Sequence, residues 1–201
     1  MQLVKGEKNA LSYFQNMIAV ASYNQNFQMD ESLRFYLAAL LANYLRTENL
    51  CPSNVGSLHE PFVLILKRAS ESERFAKYKL LKHVGDLSLY ITGFFSESLT
   101  RKPVGIDYYI SMGKTAYEVL ATDGVDFSSF TKQQDLFVRL SKGFQRYVSV
   151  LNEVSEKTNV TSNTDILRLY ERWLKTKCER IAQHLRRLGI YPNKVKSWFE
   201  H

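Results

Sequence analysis

Apolar residues recur every three or four positions along almost the whole chain, and strict alternation is scarce, so the pattern predicts helices and little or no sheet. A first helix is expected from about Glu7 to Tyr23, with Leu11, Phe14, Ile18 and Ala21 facing inward. After a polar break at Asn24 to Met29, Asp30 is placed to cap a second helix, which carries Leu33, Tyr36, Leu37, Leu40, Leu41 and Tyr44. Pro61 suits the start of a short helix from Phe62 to about Ser70. A central helix follows over Phe75 to Phe95. Beyond the basic break Thr100 to Gly105, Asp107 is the expected cap of a helix from about Tyr108 to Ala121, closed by Thr122-Asp123-Gly124. A long helix from about Ser129 to Glu156 has heptad spacing, with Phe130, Phe137, Phe144 and Leu151 at one position and Leu140, Tyr147 and Val154 at the other. Such a seam can pair two chains in a homodimer, but three Phe residues favour packing inside the same bundle. The last helix runs from about Thr164 to Leu188 and is stopped by Gly189 and Pro192.

The sum is an all-α, single-domain bundle of about seven helices spanning 1–201, with the loop 47–58 as the best candidate boundary. Its centre is Phe75–Phe95. On a helical projection Lys79, His83, Asp86 and Tyr90 share one stripe, while Gly85, Ser88 and Thr92 share the opposite one beside Leu81 and Phe95. Small residues inside a helix are tolerated where a neighbour must come close. From Leu87 to Phe95 no face is polar enough for solvent, so this part is expected to be enclosed. The uncharged run Leu87 to Ser96 is about half of the ~20 residues a membrane span needs, so no span is expected.

Composition agrees with an ordered core, since 45% of the 201 residues are hydrophobic and 13% aromatic. No secretory signal is recognisable, and Cys51 and Cys178 lack CxxC spacing, so reduced thiols and a cytoplasmic location are expected. The net charge of +7 is uneven: nine basic and four acidic residues from Asp165 onward give a net of +5 to the last 37 positions. Arg168, Arg172, Lys175 and Arg186 fall along one face of the last helix, followed by Arg187, Lys194 and Lys196 and by Trp198 and Phe199. A solvated face is the ordinary reading of such a run; a phosphate-tracking or protein-docking surface is the functional one.

One cluster has the residue types for chemistry. His83 and Asp86 are spaced to hydrogen-bond on one helix face, with Tyr90 a turn further. An acid–base pair would use Asp86 to orient the imidazole and Tyr90 as a second proton donor. A self-satisfied polar cluster that fixes helix register is the commoner outcome. Tyr108, Tyr109 and Tyr117 are the candidate partners. No metal is expected: His59, His83, His184 and His201 form no ligand spacing, no Glu-x-x-His occurs, and His184 reads as a core residue. No phosphate-binding or nucleotide motif and no nucleophile elbow is present, so no cofactor is expected.

The runs LKHVGDLSLYITGFFSESL (81–99), DYYISMGKTAYEVL (107–120) and LRLYERWL (167–174) resemble a set of conserved hypothetical bacterial helical proteins of about this size. That family has no assigned activity, so the resemblance implies a bacterial cytosolic origin and carries over no functional residue. The residues themselves favour a non-enzymatic binding or scaffold protein that docks a protein partner on its basic carboxy-terminal helix. Nucleic-acid binding by the same face comes second, and a small-ligand binder or enzyme built on His83, Asp86 and Tyr90 third.

Overall fold

The structure is a computed structural model that describes residues 2–45, 60–96, 104–123, 131–158, 170, 173, 179–187 and 190. Within them are eight helices and no strand: α1 (Gln2–Asn24), α2 (Glu31–Tyr44), α3 (Phe62–Ser70), α4 (Arg74–Phe94), α5 (Ile106–Thr122), α6 (Thr131–Lys142), α7 (Phe144–Lys157) and α8 (Glu179–Arg187). The all-α bundle expected from the spacing is the fold observed. The proposed boundary at 47–58 and both cysteines lie outside the described residues, as do His59 and His201.

Local chemistry sets the helix ends. Asn26 adopts a left-handed backbone (φ 51°), which Asn tolerates better than most residues. The Phe27 amide then reaches back to the Ser22 carbonyl (2.9 Å) and the Asn26 amide to Tyr23 (3.0 Å), the paired bonds that close a helix and turn the chain. Four residues later the Asp30 carboxylate accepts from the Leu33 amide (3.1 Å) and caps α2 as predicted. Asp107, the other predicted cap, falls inside the first turn of α5 instead. The capping position is Gly105, which has no side chain to offer, and Asp107 acts there only as an acidic residue near the positive helix end.

α4 is the hub. It packs most extensively on α5, then on α7 and α3, with α1 and α2 completing the wall. From Leu87 to Phe95 every residue except Ile91 is buried, as the lack of a polar face required. The small-residue stripe explains the closeness. A Cβ on Gly85 would lie 2.5 Å from the Tyr117 ring, and one on Gly93 would lie 2.6 Å from Leu151 Cβ. One on Gly113 of α5 would lie 2.6 Å from Ser88 Cβ. Ser88 is itself fully buried and its hydroxyl has no partner among the described residues, so its smallness is what the position uses.

The predicted single helix over 129–156 is two helices, α6 and α7, broken at Gly143. The Tyr147 ring folds back over Gly143, where a Cβ would meet it at 2.5 Å, and its hydroxyl donates to the Arg139 carbonyl (3.2 Å) at the end of α6. The heptad residues survive this break as an internal seam. Phe137, Leu140, Phe144, Tyr147, Leu151 and Val154 are all buried against their own chain, and Phe130 lies outside the described residues. Each fully buried Leu or Phe contributes about 1.5–3 kcal/mol over an exposed one, so the seam is a major stabiliser. Of the predicted last helix, α8 is described together with the buried rings of Tyr170 and Trp173, stacked at 5.8 Å.

Candidate functional site

α4, α2 and α5 bring their polar side chains together around one carboxylate. Asp86 Oδ1 accepts hydrogen bonds from the hydroxyls of Tyr36 (2.5 Å) and Tyr117 (2.8 Å). Its Oδ2 pairs with the ammonium of Lys82, one turn earlier on α4. Lys82 also lies over the Tyr36 ring at 5.1 Å, so one cation braces two members of the cluster. Asp86 is only 8% exposed. A carboxylate so placed is costly unless each oxygen has a donor, and here both are occupied.

The sequence-based candidates separate in space. Tyr117, one of the three tyrosines considered as partners, reaches Asp86. Tyr108 instead accepts from the Val63 amide (3.2 Å), and Tyr109 packs edge-on against Phe62. Tyr90 leaves the stripe for an aromatic group with Tyr44, Phe94 and Phe95, and Asp86 is not among its contacts. The hydrogen bonds to Asp86 come from Tyr36, Tyr117 and Lys82, and none among the described residues comes from His83. Two members of the cluster were missed. Tyr36 is 50 residues away, so no local spacing could show the contact. Lys82 was detectable, since a Lys four residues before an Asp is a standard helical pair.

The electrostatics do not suit proton transfer near neutral pH. Burial, and next the adjacent Asp86 charge, push the Tyr36 and Tyr117 hydroxyls well above their ordinary range, so both remain donors. His83 is held down to about 4, chiefly by desolvation, with Lys82 adding and Asp86 opposing. None of these groups moves toward the pH range where a general acid or base works best. Access is also poor. A cleft of about 480 Å³ is lined by Lys77, Tyr78, Gln133 and Phe137. Phe137 stands between it and the cluster, stacked on Tyr117 (5.8 Å) and edge-on to Tyr36 (6.5 Å), and is itself 2% exposed.

Of the predicted basic surface, Arg168, Arg172, Lys175, Lys194, Lys196 and Trp198 lie outside the described residues, and of Arg187 the backbone alone is described. Arg186 is exposed on α8 beside exposed Gln183, while Ala182 and Leu185 are buried. No group of three or more His, Cys, Asp or Glu is arranged to hold a metal ion among the described residues. Within the same residues no helix is long and apolar enough to cross a membrane. No family model, curated protein or solved structure matches the chain.

Proposed function

We propose that this chain is a non-enzymatic binding protein that holds a protein partner on its basic carboxy-terminal segment. The observation that carries the reading is the two-sidedness of α8. Ala182 and Leu185 anchor it to the core, while Gln183 and Arg186 face solvent on the side toward which the sequence projects Arg168, Arg172 and Lys175. A rigid helix with a basic outer face suits an acidic partner, because complementary charge speeds encounter and rejects like-charged competitors. The Asp86 cluster supports the non-enzymatic part, since its donors are spent on that one carboxylate.

The test is affinity capture from nuclease-treated extract with the wild-type chain and with an Arg168→Glu, Arg172→Glu, Arg186→Glu variant. An acidic protein retained by the first and lost by the second is the expected result. Retention by both would overturn the surface assignment. Nucleic acid recovered before nuclease treatment, with binding that falls steeply as salt rises, would transfer the same face to the second reading.

A further inference from the structure

A second basic site stands apart from the carboxy-terminal segment, where the α1–α2 turn meets the α6–α7 junction. A cleft of about 590 Å³ opens there, within the size range of small-molecule sites. Lys114 of α5, Arg139 and Lys142 of α6 and Arg146 of α7 all line it, and among the described residues no carboxylate does. Arg139 is committed to Asp30 and to Asp135 (3.1 Å). Lys114, Lys142 and Arg146 have no acidic partner among the described residues. Three cations without an ion-pair partner among the described residues are thus gathered in one concavity beside the Arg139–Asp30 pair.

The cleft is built rather than accidental. The Asn26 turn delivers the Phe27 ring to its edge. Asn24 and Gln25 pin that turn to α7 through Glu153 (2.6 and 2.8 Å), and Gln25 also reaches the Ser149 carbonyl (3.2 Å). Arg146 lies over Phe27 at 4.9 Å, so its guanidinium is oriented by the ring rather than by an acid. Of the rings beside the cleft, Phe27 is half-buried at its surface, while Phe144 and Tyr147 are buried beneath it. The helix ends add little, because α6 finishes where α7 begins and their terminal charges oppose one another.

Charge around the cleft limits the size of what it would take. Glu118 lies one turn beyond Lys114, Asp135 one turn before Arg139, and Glu153 two turns beyond Arg146. The positive region therefore ends within a turn or two along each helix, which fits a compact anion better than a long strand whose phosphates need a continuous basic track. We propose that this cleft binds a small ligand with adjacent phosphate groups, of the nucleoside polyphosphate class. Lys114, Lys142 and Arg146 would hold the phosphates and the half-buried Phe27 ring would receive the base.

The test is calorimetric titration of the full chain with ATP, GTP, inorganic triphosphate and a single-stranded oligonucleotide as separate probes. Saturable binding of one nucleotide per chain is expected. Lys142→Glu or Arg146→Glu should each weaken it by roughly tenfold or more. Both side chains are exposed, so the melting temperature should be preserved. Arg186→Glu on α8 should leave nucleotide affinity unchanged, which separates this site from the carboxy-terminal surface. Absence of nucleotide binding would overturn the proposal, as would binding that survives both cleft substitutions. Inorganic triphosphate binding as tightly as ATP would overturn the nucleoside part. An oligonucleotide that binds tighter than any nucleotide, and loses affinity with the same substitutions, would replace the small ligand with a polyanion.

Discussion

The Asp86 cluster and the α6–α7 cleft hold the same kinds of groups in opposite states. In the cluster, one carboxylate is matched by two phenols and one ammonium, under cover of Phe137. In the cleft, four cations share a concave surface, three of them without an acidic partner, and no carboxylate lines it among the described residues. Low dielectric explains the first arrangement, because a buried ionic group must be satisfied from within the chain. Water allows the second: solvated cations can stay unpaired at little cost and remain available to a ligand. Residue type alone therefore misleads. The His83–Asp86 spacing has the look of catalytic machinery, yet Asp86 is tied into the fold by Tyr36, Tyr117 and Lys82, whereas the cleft uses ordinary surface lysines and an arginine.

The largest test of that contrast is Asp86→Ala, which strands one buried phenol, one half-buried phenol and a partly buried ammonium. Removing one side of a buried pair costs about 3–5 kcal/mol, reduced here because Lys82 can turn toward solvent, so a large fall in melting temperature is expected. A variant that melts like the wild type would break the comparison, for it would mean the cluster stabilises nothing. Next comes Gly113→Ala. The new methyl group meets Ser88 Cβ and the Phe144 ring, and overpacking of about 1–3 kcal/mol outweighs the helix-propensity gain of up to ~1 kcal/mol. Thermal melts of Gly113→Ala with and without Phe144→Leu would show whether the ring is the obstacle, by partial recovery in the double variant.

His83 gives a smaller effect with a distinctive direction. Its folded-state pKa of about 4 lies below its ordinary 6.5, so between those values the unfolded chain binds more protons. Its neutral form therefore favours the fold at and above pH 6.5, and that contribution is lost as pH falls toward 4. Asp30 and Glu153, lowered to about 2 from ordinary values of 3.8 and 4.5, lose their contributions mainly below pH 4.5, and do so equally in wild type and variant. Melting temperatures of wild type and His83→Gln across pH 4–7 should differ in slope there, the variant being flatter. A wild type that gains stability on acidification would instead mean that His83 is protonated beside Asp86, and would restore the acid–base reading. The smallest expected effect on stability is that of Lys142→Glu, within about ±0.5 kcal/mol because the residue is exposed. Its consequence belongs to ligand binding, and a large loss of stability would show that the cleft is structural as well.

Much of the architecture was readable beforehand, and the failures have physical causes. The inner faces of α1 and α2, the Asp30 cap and the enclosure of Leu87–Phe95 follow from helical periodicity and side-chain chemistry, which act within a few residues. The break at Gly143 was hidden because Phe137, Phe144 and Leu151 keep their spacing across it. Only the packed Tyr147 ring reveals why a glycine is needed there. Similarly, Lys82 was within reach of local reasoning, while Tyr36 was not.

The sequence by itself determined that this protein is helical, roughly which segments are helical, which faces turn inward and how much positive charge is left over, because these depend on period, composition and neighbours along the chain. Tertiary structure alone decided which polar groups meet. It joined Tyr36 and Tyr117 to Asp86, turned Tyr90 toward other rings, and gathered Phe27, Lys114, Lys142 and Arg146 around one cleft. Contacts between residues tens to more than a hundred positions apart depend on how helices cross and how closely they approach. In this bundle that closeness was fixed by glycines at Gly85, Gly93 and Gly113, whose missing side chains let α4, α5 and α7 come together.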